Sequence, residues 1–323
     1  MYLFYVFARI VVMNIITKRN SLLLTALLLI IATTSFAVVG EGSNSNEREE
    51  LIPKPVVIIA GQSNATGTNT PVELLNPKLG ENEADKNVQL EFAIHHGAVW
   101  SFSHATSTLI NPQPSGFFGL EVSLGRDLYS DGVNDLQILK VSDNGRKLAF
   151  SDSDQTWHPD AKISSYTQLK SQYEQLKSEM FADGKYPDVI GFVWVQGESD
   201  AITEKYADVY QQNLNRFFKQ LKSDKIIYSK TGIVIAQIGP KCMERCPQAD
   251  EGFAKVREAQ RLFSANNNYK LIDIADMPRV AGDPIHLNAQ AQQQLGKLSA
   301  GYINAYRSEQ NPDYMSSLSA ELK

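Results

Sequence analysis

Five short apolar runs, separated by stretches of helical periodicity, constrain this chain more than any other feature of it. Residues 56–60 (Val-Val-Ile-Ile-Ala), 136–141, 189–195, 232–238 and 270–274 read as strands buried on both faces. Residues 119–129, 163–181, 206–221, 253–263 and 288–306 carry apolar side chains at spacings of three and four, the last run opened by Asn288 as an N-cap. Strands alternating with helices predict an α/β fold, a three-layer α/β/α sandwich around a parallel sheet of about five strands. Residues 66–105 have mixed polarity and several glycines and are expected to be loops and short irregular pieces. Their three histidines, His95, His96 and His104, lack the spacing of a metal site and are expected to be solvated loop residues.

The 323 residues suffice for one large core. A net charge of −5 gives no footprint for nucleic acid or for a basic membrane patch. Lys18-Arg19, an apolar run over residues 22–32 and Ser35-Phe36-Ala37 have the layout of a secretory signal peptide over residues 1–37. The run is shorter than the roughly 20 apolar residues of a spanning helix. Residues 1–12 are also apolar but broken by Arg9, which leaves Met13 as an alternative start and an uncleaved, tethering leader as an alternative fate. The expected organisation is leader 1–37, polar linker 38–52, one folded domain 53–307 and a polar tail 308–323, with the protein secreted or periplasmic. Cys242 and Cys246 are the only cysteines, and in an exported chain a small-loop disulfide is expected of them. The rival is a metal site, of which two thiolates make half.

Three strand ends carry groups that are useful to one another. Residues 56–60 run into Gly61-Gln62-Ser63-Asn64, where a serine stands outside the carboxyl end of a strand, the place open α/β sheets give their ligands. A helix N-cap is the bland account of the same serine. Asp283-Pro284-Ile285-His286 lies beyond the fifth strand. A carboxylate three residues before a histidine can hold the Nδ1 hydrogen and leave Nε2 to take a serine proton; an Asp-Pro turn beside a surface histidine is the alternative. Donors for an oxyanion are available in the N–H groups of Ser63 and Gly119 and in the amide of Gln196, which follows the third strand directly.

Taken together, Gly61-Gln62-Ser63-Asn64, Trp194-Val195-Gln196-Gly197-Glu198-Ser199-Asp200-Ala201 and Asp283-Pro284-Ile285-His286-Leu287 resemble the SGNH hydrolases. They look most like the branch of sialate O-acetylesterases and the sixth family of carbohydrate esterases, which includes acetylxylan esterases. Phe118-Gly119-Leu120-Glu121, Trp157-His158-Pro159 and Val256-Arg257-Glu258-Ala259-Gln260 are similar to further blocks, and the likeness runs over residues 55–298. The resemblance implies a flavodoxin-like sandwich with Ser63 as nucleophile, His286 as base and Asp283 as its partner. Ser63, Gly119 and Gln196 would form the oxyanion hole, with Gln62, Asn64, Glu198 and Arg257 in support. It implies removal of acetyl groups from sugar hydroxyls without metal or cofactor, an acetylated carbohydrate as the partner, and no nucleic acid. Ala65, Leu120 and Asn144-Gly145-Arg146 depart from residues frequent in the branch and bear on which sugar is taken, because specificity lives in such loops.

The sequence leaves two other functions standing. One is a related hydrolase of lipid esters or thioesters. The other is a catalytically silent carbohydrate-binding protein using Trp100, Trp157 and Trp194 as stacking faces. An esterase whose base must be neutral is expected to gain activity toward neutral or mildly alkaline pH.

Overall fold

The computed structural model describes residues 51–96, 99–103, 107–113, 115–152, 156–240 and 250–310. The leader, Cys242, Cys246, His104 and residues 311–323 lie outside them. Seven strands form the sheet: β1 (Ile52–Gly61), β2 (Gln89–His96), β3 (Val99–Phe102), β4 (Gln137–Asp143), β5 (Lys185–Val195), β6 (Gly232–Gln237) and β7 (Lys270–Asp273). The helices are α1 (Ser63–Thr66), α2 (Ala84–Asn87), α3 (Glu121–Ser130), α4 (Ser165–Ala182), α5 (Glu198–Ala201), α6 (Glu204–Ala207), α7 (Tyr210–Ser223), α8 (Asp250–Asn267) and α9 (Ala289–Gln310).

The strand order is β3-β2-β4-β1-β5-β6-β7, parallel throughout except for β3, which runs antiparallel to β2. The five strands read from the sequence are β1, β4, β5, β6 and β7, and they stand in the doubly wound order 2-1-3-4-5. The chain moves outward on one side of β1 and then returns to its other side. The crevice where that order reverses lies at the carboxyl end of β1, where Ser63 begins α1.

Residues 66–105 correct the expectation of loops, because Leu90, Phe92, Ala93 and Ile94 of β2 are all buried against the β4 edge. Strand β2 also carries His95, expected in a loop and instead buried, with Nδ1 2.9 Å from Asp143 Oδ1. The helix read over 206–221 divides into α6 and α7. The last helix runs beyond the expected boundary at 307, to Gln310.

Strand β1 shows why the sheet is double-sided. Val56, Ile58 and Ala60 enter one core with Tyr166, Leu169, Phe217 and Val256; Val57 and Ile59 enter the other with Leu124, Leu128, Leu295 and Ile303. All five β1 side chains are fully buried, and each Val or Ile so buried contributes about 1.5–3 kcal/mol. Trp157 and Trp194 belong to the first core, ring edge against ring face at 5.2 Å, and are 0% exposed, so neither offers a stacking face to a ligand. Trp100 lies against His95, with ring centroids 5.1 Å apart.

Candidate active site

The turn that presents Ser63 is forced by close backbone approach. Gly61 has φ +152°, and a Cβ on it would stand 2.0 Å from the carbonyl oxygen of Val195 at the end of β5. Gln62 N–H donates to that same carbonyl at 2.9 Å. On the other side of the turn Gly67 has φ +83°, and a Cβ there would stand 2.0 Å from Phe118 O, so only glycine lets the turn lie against Phe118-Gly119. The bonds of α1 begin with Ala65 N–H to Gln62 O at 2.8 Å, which leaves the N–H of Ser63 at the head of the turn. Ser63 itself is 6% exposed.

Each neighbour of Ser63 fastens the turn to a different element. Gln62 Oε1 accepts the N–H groups of Gly197 and Ser199, both at 3.4 Å, beyond the end of β5. Asn64 Nδ2 donates to Glu198 Oε1 at 2.7 Å and to Ile285 O at 3.2 Å, and its Oδ1 accepts Leu287 N–H at 2.9 Å. Gln292 of α9 donates to Asn64 O at 3.0 Å. Thr66 Oγ1 reaches Ser142 and Asn144 at the end of β4, and Thr66 O accepts from the buried ammonium of Lys140 at 2.8 Å.

The bonds of Asn64 to Ile285 and Leu287 flank His286. His286 Nδ1 lies 2.5 Å from Asp283 Oδ2, while Asp283 Oδ1 accepts the N–H groups of Ile285 and His286 at 3.0 and 3.2 Å. Burial pushes the Asp283 carboxyl up, but the bonds from His286 and the two amides outweigh it and hold its pKa below the usual carboxylate value. The aspartate therefore stays ionised and fixes the ring with Nε2 turned away from it. No hydrogen bond joins Ser63 Oγ to His286 among the described residues. The two are linked through Asn64, and such contacts commonly close only around substrate.

The two other expected oxyanion donors are engaged elsewhere. Gly119 N–H donates to Glu121 Oε1 at 2.8 Å, and Glu121 Oε2 in turn pairs with Lys140 Nζ at 2.7 Å, both side chains wholly buried. Gln196 Nε2 donates to Arg146 O at 3.1 Å and to Asp200 Oδ2 at 2.6 Å, while its Oε1 accepts the Tyr210 hydroxyl at 3.1 Å. The N–H of Ser63 is the donor of the three that this arrangement leaves at the turn.

Of the supporting residues, Gln62, Asn64 and Glu198 meet at the site and Arg257 does not. Arg257 pairs with Asp273 at 2.8 Å and donates to Ile238 O, tying α8 to the sheet. Buried Glu198 has its pKa pushed up by desolvation, against the opposing pull of its own N–H, Asn64, His286 and Arg279. Asp200, which accepts the N–H groups of Leu148 and Ala149 at 2.7 and 2.9 Å, is pushed by burial up to about 6. The sequence motifs include neither Lys140 nor Gln292, although a lysine inside the apolar run of β4 is a visible signal; Asp200 stands in the motif after β5, with no role assigned to it from the sequence. Among the described residues no group of three or more His, Cys, Asp or Glu side chains is placed to hold a metal ion, and no helix is long and apolar enough to cross a membrane.

Known proteins are similar to this chain in sequence and in fold. The family model for carbohydrate esterases, sialic acid-specific acetylesterase, matches residues 53–304. A probable carbohydrate esterase of Arabidopsis thaliana is 30% identical over 120 residues, which cover 37% of this chain and less than half, 42%, of that relative. A crystal structure of an Arabidopsis thaliana protein superposes with a TM-score of 0.55 at 20% identity, over 79% of this chain and 98% of the other. The crystal structure of NanS does so with a TM-score of 0.50 at 17% identity, over 80% and 97%. At these identities the two structures speak for the shared fold, and the family match extends over most of the chain. The chain belongs to the carbohydrate esterase family of sialic acid-specific acetylesterases.

Proposed function

We propose that this protein removes acetyl groups from carbohydrate hydroxyls through an acetyl-serine intermediate, with Ser63, His286 and Asp283 as the catalytic groups. The observation that carries the reading is Asn64, whose one side chain, next to Ser63, holds the backbone on both sides of His286. Ser63 Oγ attacks the acetyl carbonyl and His286 Nε2 takes its proton. The oxyanion is met first by the N–H of Ser63; Gly119 and Gln196 can contribute by exchanging Glu121 and Asp200 for the substrate oxygen. His286 then protonates the sugar oxygen as its bond to the acetyl carbon breaks. Water gives a proton to His286 and attacks the acetyl-serine, releasing acetate and restoring Ser63.

The reading places the protein outside the cytoplasm, secreted or periplasmic, after loss of residues 1–37, and pairs Cys242 with Cys246. Its support is the leader-like sequence and the compartment in which paired cysteines persist.

Acetate release from O-acetylated sialic acids and acetylated xylo-oligosaccharides tests the activity. Mass spectrometry of the quenched enzyme should find one acetyl group on Ser63. Release that persists in Ser63→Ala, or a parent inert toward every acetylated sugar and toward 4-nitrophenyl acetate, would overturn the reading.

A further inference from the structure

A second cleft opens at the same edge of the sheet, between the loop that follows β4 and the α6–α7 segment. Its volume is about 560 Å³, and Phe150, His158, Asp160, Val209 and Arg216 are among the side chains lining it. Phe150 and Val209 are 51% and 37% exposed, so two large apolar side chains face solvent within one cleft.

The exposed phenyl ring is held rather than loose. It stands edge-on to the buried His158 ring, with centroids 5.3 Å apart and planes at 89°. His158 Nδ1 accepts Asp160 N–H at 3.3 Å, and the Asp160 carboxylate takes both Nε and a terminal nitrogen of Arg216, at 2.5 and 2.7 Å. An aromatic ring and a planar, bidentate ion pair therefore line the same cleft. A pyranose ring has the complementary surface: axial C–H bonds on one face and hydroxyls around the rim. A flat aromatic with a few fixed polar groups is how small concave sites secure orientation.

The cleft is also joined to the catalytic edge. Ala149, which precedes Phe150 and lines the cleft, donates its N–H to Asp200, and Asp200 holds Gln196. Thr156 Oγ1 donates to Ala149 O at 2.8 Å and closes the loop from behind.

We propose that this cleft is a sugar subsite for the glycan that carries the ester: it binds a pyranose unit other than the one being deacetylated, stacked on Phe150 with its hydroxyls on Asp160 and Arg216. This rests on the carbohydrate esterase reading and adds that the enzyme prefers chains to single sugars.

The test compares acetate release from O-acetylated sialic acid with O-acetylated sialyllactose, and from acetylxylose with acetylated xylotetraose. For at least one pair the parent should show kcat/KM about tenfold higher on the oligosaccharide, carried by KM, and Phe150→Ala should bring the ratio to near one. Phe150→Trp, which keeps an aromatic face, should restore the ratio. Equal rates on both members of both pairs, or a preference untouched by Phe150→Ala, would overturn the subsite. A second arm needs no turnover: the Ser63→Ala protein is titrated calorimetrically with unacetylated sialyllactose and xylotetraose. Binding that disappears on adding Phe150→Ala supports the subsite even if the catalytic reading fails. No binding of either oligosaccharide sinks it even if acetate is released.

Discussion

Asn64 Nδ2 donates to Glu198 Oε1 at 2.7 Å, with both side chains buried, and this bond joins the serine turn to the end of β5. The remaining hydrogen and the oxygen of the same amide go to Ile285 and Leu287, so the geometry between Ser63 and His286 passes through one side chain. Asn64→Ala removes all three bonds without touching the nucleophile or the base. Its kcat/KM for acetyl ester hydrolysis should fall about 100-fold, because small misplacements of reacting groups cost that much. The far-UV circular dichroism should stay that of the parent. Asn64→Asp should be less stable than Asn64→Ala, since it sets a second carboxylate against Glu198.

Glu198 itself is an acid in an unfavourable place. Burial raises its pKa, and Oε2 has no hydrogen-bond partner among the described residues. A group whose folded pKa lies above its unfolded value stabilises the fold fully below the unfolded pKa and loses that contribution as pH rises through the folded one. Glu198→Gln keeps an acceptor for Asn64 and abolishes the titration. Its Tm should therefore gain on that of the parent as pH is raised from 4 to 8. A difference independent of pH would show that Glu198 does not change its charge in that range.

Asp200 gives the site a second acid limb. Its carboxylate, pushed up to about 6 by burial, accepts from Leu148, Ala149 and Gln196, and each bond is made best by the ionised form. As pH falls through about 6 the proton occupies an acceptor position and the loop carrying Arg146 loses an anchor. In Asp200→Asn the same loss should be present at every pH. At pH 8 its kcat/KM should be roughly tenfold below the parent, and the Leu148 and Ala149 amides should exchange hydrogen faster. Protected amides in the variant would rule out this role for Asp200.

Those three residues also mark what could be read without the structure. The parallel sheet was legible because β1, β4, β5, β6 and β7 are nearly continuous apolar runs, and the three chemical motifs fall at carboxyl ends that one sheet edge must bring together. Strand β2 was missed for a definite reason. Its run is interrupted by Glu91 and His95, whose buried polar atoms find partners 46 and 48 residues away: Gln137 Nε2 donates to Glu91 Oε1, and His95 Nδ1 lies against Asp143 Oδ1. Gly119 and Gln196 illustrate the opposite limit. Their place at the site could be read from the motifs, but the direction of their N–H groups depends on Glu121, Asp200 and Arg146, which no spacing specifies.

Glu91 titrates in the same sense and away from the site. Burial is the main cause of a pKa pushed up to about 7, with Glu179 adding to it and Lys54 opposing. Its contribution to stability is complete below the unfolded pKa near 4.5 and lost as pH rises through about 7. Glu91→Gln should consequently match the parent at pH 4 and exceed it at pH 8, by about 2 kcal/mol in urea denaturation. Acetate release at pH 8 by folded protein should be the same for both, since Glu91 lies on β2 and makes its hydrogen bond to Gln137 rather than to the serine turn.

Lys140 and Glu121 offer the sharpest separation between stability and catalysis. Both are fully buried, 2.7 Å apart; burial lowers the lysine pKa, and Glu121 opposes the shift. Lys140→Met strands the carboxylate and should cost about 3–5 kcal/mol, the usual penalty for breaking one side of a buried pair. It also removes the donor to Thr66 O, so the serine turn loosens as well. Adding Glu121→Gln to Lys140→Met discharges the stranded group while keeping an oxygen for Gly119 N–H, and most of the lost stability should return. Activity should recover less than stability, because nothing in the double variant replaces the bond from Lys140 Nζ to Thr66 O. Urea midpoints and kcat/KM measured on the parent, single and double variants separate the two effects. Equal recovery of both would mean that the pair serves the turn only by keeping the protein folded.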